Sequence, residues 1–239
     1  GGTYLDQINK YDVVSRVVQS NGSTGTSVVL ITPDAERTMN THLGMCREYN
    51  LKDIDEKLLM NSTFLYFTGY MWDTDSQKEA IQKAVDIAQA GDVKICFDVA
   101  DPFVVERNRE EFLEFIKNNV DVVFANQSEL LILFQSEDID HSIHRLMNIV
   151  KCGGVKLGKK GSIVFNNLEK NKIKPKLILA KDTTGAGDMY AAGFLSQFFK
   201  TKDYISSGEI GSALAEEIIQ INGAQFDKNK MSEMRSKFF

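Results

Sequence analysis

The chain has 239 residues, 43% hydrophobic and 26% charged, and these proportions exclude a disordered chain, a collagen-like repeat and a disulfide scaffold. The formal net charge of −5 argues against a broad basic surface for nucleic acid, and no apolar run approaches the ~20 residues of a membrane helix. The three cysteines are widely spaced, which indicates reduced thiols and a cytoplasmic location, without disulfides or a zinc site. We therefore expect neither a nucleic-acid partner nor a membrane partner.

The first part of the chain predicts a short helix followed by a small β structure. Residues 4–10 have a helix-like amphipathic pattern, and β-branched residues favour strands within 13–18 and 28–32. Residues 33–36, with Pro and Asp in sequence, are typical of a hairpin turn. We therefore predict that residues 11–45 form a small sheet of their own.

From about residue 50 the pattern changes to strands that alternate with helices. Residues 76–79, Ser-Gln-Lys-Glu, match a helix capping box, and Gly91 is typical of the end of that helix. The predicted strands are 64–67, 93–97, 120–124, 155–157 and 163–165, and the predicted helices cover 80–88 and 110–116. This alternation predicts βαβ units and hence an α/β fold with a mostly parallel sheet between helices.

Polar residues follow two of the predicted strands. Asp98 and Asp101 come after strand 93–97, and Asn126 comes after strand 120–124. Because ligands of open α/β sheets bind beyond the carboxyl ends of the strands, these three residues are candidates for ligand contacts.

The most informative motif covers residues 182–188, Asp-Thr-Thr-Gly-Ala-Gly-Asp, before a helix rich in small residues. Gly185 and Gly187 allow a ligand to approach the main chain on either side of Ala186. The amides at the start of the helix, with the positive end of its dipole behind them, form an anion hole. Such a hole stabilises the charge on a phosphoryl group during its transfer.

Two aspartates flank this predicted anion hole. Asp188, in the first turn of the helix, is placed to accept the proton of an attacking alcohol. Asp182 is placed to hydrogen-bond either the loop or a substrate hydroxyl. The alternative is that Asp182 and Thr183 only form a turn and that Asp188 only favours the helix dipole.

The segment 182–188 resembles the carboxyl-terminal signature of the PfkB (ribokinase-like) family, which includes sugar kinases and adenosine kinase. Residues 23–38 resemble the lid strands of that family, 126–129 (Asn-Gln-Ser-Glu) its Asn-x-x-Glu element, and 156–161 its strand and loop that approach the nucleotide. The resemblance runs from about residue 11 to the end of the chain. It implies a ribokinase-like fold with a remnant of an incomplete N-terminal region at 1–10, a β lid at 11–45 and an α/β kinase core at 46–239.

The resemblance also implies one reaction, in which the γ-phosphoryl group of ATP passes to a hydroxymethyl group of a nucleoside or sugar. Asp188 would be the base, the anion hole would comprise Gly185, Ala186 and Gly187, and Asn126 and Glu129 would order Mg²⁺ through its waters. Contacts with ATP are implied for Lys156, Gly158, Gly161, Thr183, Asn222 and Gly223, and contacts with the substrate for Asp182 and Asp188. For Asn222 and Gly223 the alternative is an ordinary helix end. The family often uses a monovalent cation as well, but the resemblance does not place its ligands here.

The residues after strand 93–97 favour a nucleoside as the substrate. The Ala, Pro and Phe neighbourhood of residues 100–103 resembles adenosine kinases more than sugar kinases, and so does the segment 193–197. A sugar kinase of the ribokinase or fructokinase type is the alternative, and an inactive ligand-binding relative is a further one. A dinucleotide-binding oxidoreductase lacks support, because no Gly-x-Gly-x-x-Gly opens a helix after an early strand. The resemblance is compatible with a monomer or with a homodimer formed through the lid.

Several other residues have a simpler interpretation. His141 and His144 are three residues apart, but we expect them on an exposed helix face rather than at a metal. Met71, Trp72 and Phe103 follow predicted strand ends, and core packing is the expected role of such side chains. The alternative is that they line an apolar pocket.

Overall fold

The computed structural model describes residues 2–11, 13–32, 37–176 and 178–239 of the chain. In chain order its strands are β1 (Thr26–Ile31), β2 (Arg37–His42), β3 (Phe64–Thr68), β4 (Lys94–Asp98), β5 (Val122–Asn126), β6 (Cys152–Lys156), β7 (Ser162–Asn166) and β8 (Lys170–Ile173). Its helices are α1 (Gly2–Ile8), α2 (Glu56–Met60), α3 (Asp75–Ala90), α4 (Pro102–Asn119), α5 (Gln127–Phe134), α6 (Ile139–Met147), α7 (Ala186–Thr201), α8 (Tyr204–Ile218) and α9 (Lys228–Phe238). None of the helices within these ranges is both long enough and apolar enough to cross a membrane.

A mixed sheet of six strands, in the order β3-β4-β5-β6-β7-β8, forms the centre of the fold. Strands β3 to β6 pair in parallel, as predicted, because helices between them return the chain to the same edge of the sheet. The β6–β7 and β7–β8 pairs are antiparallel. Only residues 157–161 connect β6 to β7, which is too short for a crossover helix, so the chain reverses its direction there. The predicted α/β architecture is confirmed.

Helices cover both faces of this sheet and give the fold three layers. On one face, Ile95 and Phe97 of β4 belong to a core that includes residues of α3, α4, α5 and α6. On the other face, Cys96 of β4 and Phe124 of β5 pack with Phe194 of α7. Because successive residues of a strand point to opposite faces, this alternation decides which strand-end side chains face α7.

Polar side chains end three neighbouring strands on the α7 face. Asp98 lies two residues after Cys96, and Asn126 lies two residues after Phe124, so both keep the same face of the sheet. Lys156 of β6 is paired in register with Asn126. The sheet therefore brings an acid, an amide and an amine to its carboxyl edge beside the start of α7.

Two helices begin at different residues from those predicted. The capping box of α3 is formed by Thr74 and Gln77, whose backbone and side-chain atoms bond each other reciprocally, and not by residues 76–79. Helix α4 starts at Pro102, earlier than predicted, because Asp101 caps it and proline is well tolerated in the first turn. For α3, two overlapping capping patterns compete, and sequence spacing does not decide between them.

The N-terminal part contains a small antiparallel sheet, the lid, made of β1 and β2. The predicted helix at 4–10 corresponds to α1 followed by a 3₁₀ turn at Asn9–Tyr11. Residues 13–18 form no strand, so that part of the prediction is wrong. The predicted turn, Pro33-Asp34-Ala35-Glu36, lies outside the described residues.

Candidate functional site

The loop before α7 has the backbone geometry that an anion hole requires. Gly185 is the N-cap of α7 with φ +78°, in the left-handed region that favours glycine. A Cβ atom at this position would lie 2.7 Å from the Cβ of Ala224, so the packing also requires glycine. The helical ladder begins where Met189 N donates to Gly185 O at 2.9 Å, and the amides of Gly187 and Asp188 precede it in the first turn, where N–H groups have no partner within the helix. The amide of Ala186 donates to Thr183 O at 3.2 Å, inside the loop. The exposed Asp188 lies in this first turn.

Asp182 lies under the loop, with only 3% of its surface exposed. Its Oδ1 accepts hydrogen bonds from Thr184 N at 2.9 Å and Thr184 Oγ1 at 2.6 Å. Its Oδ2 accepts from Gly223 N at 2.8 Å. Of the two predicted contacts of Asp182, the structure contains the one with the loop, whereas the contact with a substrate hydroxyl stays a prediction.

The segment that contains Asn222 and Gly223 packs onto this loop. Helix α8 ends at Ile218 and is capped by Ile219, so the Asn-Gly pair lies beyond the helix end and does not form it. Gly223 has φ +86° and donates its amide to Asp182, and the side chain of Asn222 is exposed. The contact of these two residues with ATP stays a prediction.

A largely buried ion pair lies next to the loop of residues 182–187 before α7, which we call the anion loop. Lys156 Nζ is 2.7 Å from Asp98 Oδ2, and the side chains are 17% and 5% exposed. A Cβ atom on Gly187 would lie 3.3 Å from the same Nζ, so the amine reaches the first turn of α7. The sequence analysis names Asp98 as a candidate for ligand contacts because it follows a predicted buried strand, but it gives Asp98 no role in the reaction and does not predict its pairing with Lys156.

The other predicted contacts with ATP have different surroundings. Gly158 has φ +58°, and its α-carbon faces open space. Gly161, with φ +91°, is packed against Ile173 O inside the β6–β7 hairpin. Thr183 O accepts from Ala186 N at 3.2 Å within the anion loop. Gly161 is therefore required by the hairpin itself, whereas Gly158 is open to a ligand.

Asn126 and Glu129 form a reciprocal cap at the start of α5. Asn126 N and Nδ2 donate to Glu129 Oε2 and Oε1, each at 2.6 Å, and Glu129 N donates to Asn126 Oδ1 at 2.9 Å. The Glu129 side chain is buried, and burial raises its pKa from 4.5 to about 7. Lys156 opposes this increase, whereas the nearby Asp98 and Asp101 add to it.

The oxygen atoms at this edge fit magnesium that is held through its waters. Within the part of the chain that the structure describes, no three or more His, Cys, Asp or Glu side chains are grouped closely enough to hold a metal directly. Both Glu129 oxygens already accept hydrogen bonds from Asn126, but a carboxylate oxygen has a second lone pair for a metal-bound water. Magnesium suits oxygen ligands and usually keeps several waters. Asn126 and Glu129 are therefore suited to bind the waters of the metal and not the metal itself.

The raised pKa of Glu129 predicts how stability depends on pH in the metal-free protein. Between pH 4.5 and about 7 the folded state keeps a proton that the unfolded chain has lost. The resulting stabilisation is fully present below pH 4.5 and disappears as pH rises through 7. The free energy of unfolding of the wild type, minus that of Glu129→Gln, should fall by about 3 kcal/mol across this window. Urea unfolding of both proteins at pH 4.5 to 8 checks this, and parallel curves would contradict it.

Of the two aromatic side chains that the sequence analysis expects in the core, Trp72 is there and Phe103 is not. Trp72 is in the core at 8% exposure, and its Nε1 donates to Glu111 Oε2 at 3.1 Å. Phe103, predicted to pack in the core, is 74% exposed in the first turn of α4. The chain turns there from β4 to α4 at the carboxyl edge, and the turn leaves the ring no core to enter. His141 and His144 are both exposed on α6, as predicted.

Comparisons with known proteins identify relatives of the whole described fold. A family model described as pfkB family carbohydrate kinase matches residues 1–231. The structure of adenosine kinase from Sinorhizobium meliloti is 35% identical with a TM-score of 0.86, and that of a probable sugar kinase from Rhizobium etli CFN 42 is 31% identical with a TM-score of 0.85. Each alignment covers 90% of this chain. An uncharacterized sugar kinase from Archaeoglobus fulgidus is 25% identical over 215 residues, which are 87% of this chain and 82% of that protein.

These relatives confirm the resemblance carried by residues 182–188 and the ribokinase-like fold. The chain spans 66% of each of the two solved relatives. The match to the family model extends over the lid, the sheet and the loop before α7. The chain therefore belongs to the pfkB family of carbohydrate kinases.

Proposed function

We propose that this protein transfers the γ-phosphoryl group of ATP to a hydroxymethyl group of a nucleoside such as adenosine. The observation that carries the proposal is the position of Asp188. Its exposed carboxylate lies in the first turn of α7, next to the left-handed Gly185 and at the edge of the sheet where Lys156 and Asn126 end their strands. A base beside an anion hole is the arrangement that phosphoryl transfer to an alcohol needs.

In this reaction, different residues of the chain have different roles. Asp188 accepts the proton of the attacking hydroxyl group, and the amides at the start of α7 bind the oxygens of the transferring phosphoryl group. Asp182 holds the loop in shape through Thr184 and Gly223. Asn126 and Glu129 hold magnesium through its waters. When bound, the metal neutralises negative charge on the phosphates.

Phe103 favours a nucleoside over a sugar as the acceptor. Its ring is exposed at the edge where β4 ends in Asp98 and α4 begins. An exposed aromatic ring at this edge offers a flat stacking surface that matches the face of a nucleobase. The 35% identity to an adenosine kinase supports the same choice. The second candidate is a free sugar, which the 31% identity to a probable sugar kinase supports.

Removal of the Phe103 ring tests the choice of substrate. Phe103→Ala should raise KM for a nucleoside by about 10-fold or more, because stacking of a base on an aromatic ring is worth roughly 1–3 kcal/mol. The value of kcat should change little. Leu168→Ala is the matched control, because Leu168 is also an exposed apolar side chain, 83% exposed, but lies in the turn between β7 and β8. An unchanged KM in Phe103→Ala would contradict the stacking role.

The reaction itself is tested by coupled ADP release with ATP, magnesium and a panel of acceptors. The panel contains adenosine, other nucleosides, ribose, fructose and their phosphates. Turnover of a nucleoside is the expected result. Turnover of a free sugar without any nucleoside would select the second candidate, and no turnover of any acceptor would contradict the kinase proposal.

A further inference from the structure

We propose that Lys156 is a catalytic residue whose ammonium group contacts the transferring phosphoryl group, and that Asp98 is the residue that positions it. This inference rests on the proposed function and deepens it. It differs from the sequence-based interpretation of Lys156, which assigned the lysine to the binding of ATP. A catalytic contact changes kcat, whereas a contact with the bound nucleotide changes its affinity.

The side chain of Lys156 lies against Gly187, in the first turn of α7. Lys156 ends β6 on the face that α7 covers, and its Nζ lies 3.3 Å from the place where a Cβ of Gly187 would be. A side chain at residue 187 would therefore press on the amine. The glycine leaves the ammonium directly beside the amides that open α7, where the phosphoryl group is proposed to bind. An amine in this place adds a full positive charge to the partial charges of the helix end.

Acidic side chains surround the amine of Lys156. Burial by itself would lower the pKa of Lys156, but Asp98, Glu129 and Asp188 raise it, and the net shift is upward. The amine is therefore an ammonium ion at neutral pH. Lysine side chains are rarely so well buried, and burial of an ion pair is weak evidence of a stabilising role. Burial of this positive charge costs free energy without a matching gain in stability. Its position beside the anion hole therefore indicates a role in the reaction.

Asp98 makes a separate contact through each of its two carboxylate oxygens. Asp98 Oδ2 is 2.7 Å from Lys156 Nζ, while its Oδ1 accepts from Ala100 N at 3.1 Å. Ala100 has φ +76°, a left-handed conformation that costs energy for any residue other than glycine. Asp98 thus stands on a constrained turn, and such turns are concentrated at functional sites. The turn fixes one carboxylate oxygen and leaves the other to orient the lysine.

In the proposed step, the hydroxyl oxygen of the acceptor forms a bond to the γ-phosphorus while the bond from this phosphorus to the bridging oxygen of ATP breaks. The electron pair of the broken bond stays on the terminal phosphate of ADP, and the hydroxyl proton passes to Asp188. Lys156 keeps its protons throughout and hydrogen-bonds an oxygen of the transferring group. Its contribution is greatest when negative charge is spread over these oxygens, in the transition state.

The test compares Lys156→Met, Lys156→Arg and the double variant Asp98→Asn/Lys156→Met. The double variant is needed because Lys156→Met alone leaves a buried carboxylate without its partner and risks misfolding. The measurements are kcat, the affinity for a non-hydrolysable ATP analogue, and the binding of orthovanadate with ADP and magnesium as a mimic of the transition state. Lys151→Met is the matched control, because Lys151 is paired with Asp121 at 2.9 Å near the opposite end of β6.

Both Lys156→Met proteins should lose about 10²–10³-fold in kcat, the range found for removal of one such donor, with analogue affinity within a few-fold of wild type. They should also lose the binding of vanadate, whereas Lys151→Met should keep it. Lys156→Arg should recover part of the activity, because it restores the charge. A double variant that folds and keeps wild-type kcat and vanadate binding would overturn the inference, and so would a loss confined to analogue affinity. If the wild type binds vanadate but phosphorylates no acceptor, the proposed function fails while the assignment of Lys156 to the anion site is still tested by the variants.

Discussion

Asp188→Asn should lower kcat by about 10³-fold, near the middle of the range for loss of a general base. The asparagine side chain has the same shape but cannot accept the proton of the attacking hydroxyl group. Because Asp188 is exposed in the first turn of α7, the folded structure loses a favourable interaction with the helix dipole and one of the charges that act on Lys156, and the melting temperature should change little. Steady-state kinetics at saturating ATP and acceptor, together with a thermal melt, measure both effects.

The control for this variant is Asp75→Asn. Asp75 is also an exposed acid in the first turn of a helix, α3, but it follows β3 and does not belong to the loop and helix that form the anion hole. It should show the same small change in melting temperature and full activity. Wild-type turnover in Asp188→Asn would show that another group accepts the proton.

Asp182→Ala should lower both stability and activity, by a different mechanism. The buried carboxylate accepts three hydrogen bonds, two from Thr184 and one from Gly223. Its removal leaves these donors without a partner, and we expect the free energy of unfolding to fall by about 3 kcal/mol. The anion loop then loses its link to the segment after α8, so kcat should fall as well. Urea unfolding and kinetics on the same preparation measure the two losses.

The matched control is Asp86→Ala, at an exposed position on α3, which should change stability by no more than about 0.5 kcal/mol. The two roles that the sequence left open for Asp182 have different outcomes. A role in the loop lowers stability and kcat together. An unchanged stability, with the loss confined to KM for the acceptor, would mean that Asp182 acts on the substrate and not through the loop.

The contrast between Asp188 and Asp182 shows where sequence reasoning about the site succeeds and where it ends. Both stand six residues apart in one motif, and both carry the same side chain. Their difference is burial, because one lies in the exposed first turn of α7 and the other is 3% exposed beneath the loop. Burial of Asp182 depends on the segment around Gly223, some 40 residues further along the chain. No local pattern contains that information.

The pairing of Asp98 in the sheet also depends on long-range contacts that no local sequence pattern contains. Its position after a buried strand is visible in the sequence, and so is the position of Lys156 after another. Their pairing at 2.7 Å requires that β4 and β6 lie on either side of β5 and that both residues face α7. The order of the strands decides the first condition, and the alternation of side chains within the strands decides the second. The exposure of Phe103 likewise follows from the turn at Asp101, where α4 starts earlier than predicted.

The amino-acid sequence by itself determined the α/β class, the parallel part of the sheet and the family, because each depends on local periodicity or on a contiguous motif such as residues 182–188. The tertiary structure alone decided the antiparallel end of the sheet, the pairing of Lys156 with Asp98, and the link from Asp182 to Gly223. These features join residues that are far apart in the chain, and their energy comes from burial and charge pairing that exist only after the strands and helices have packed.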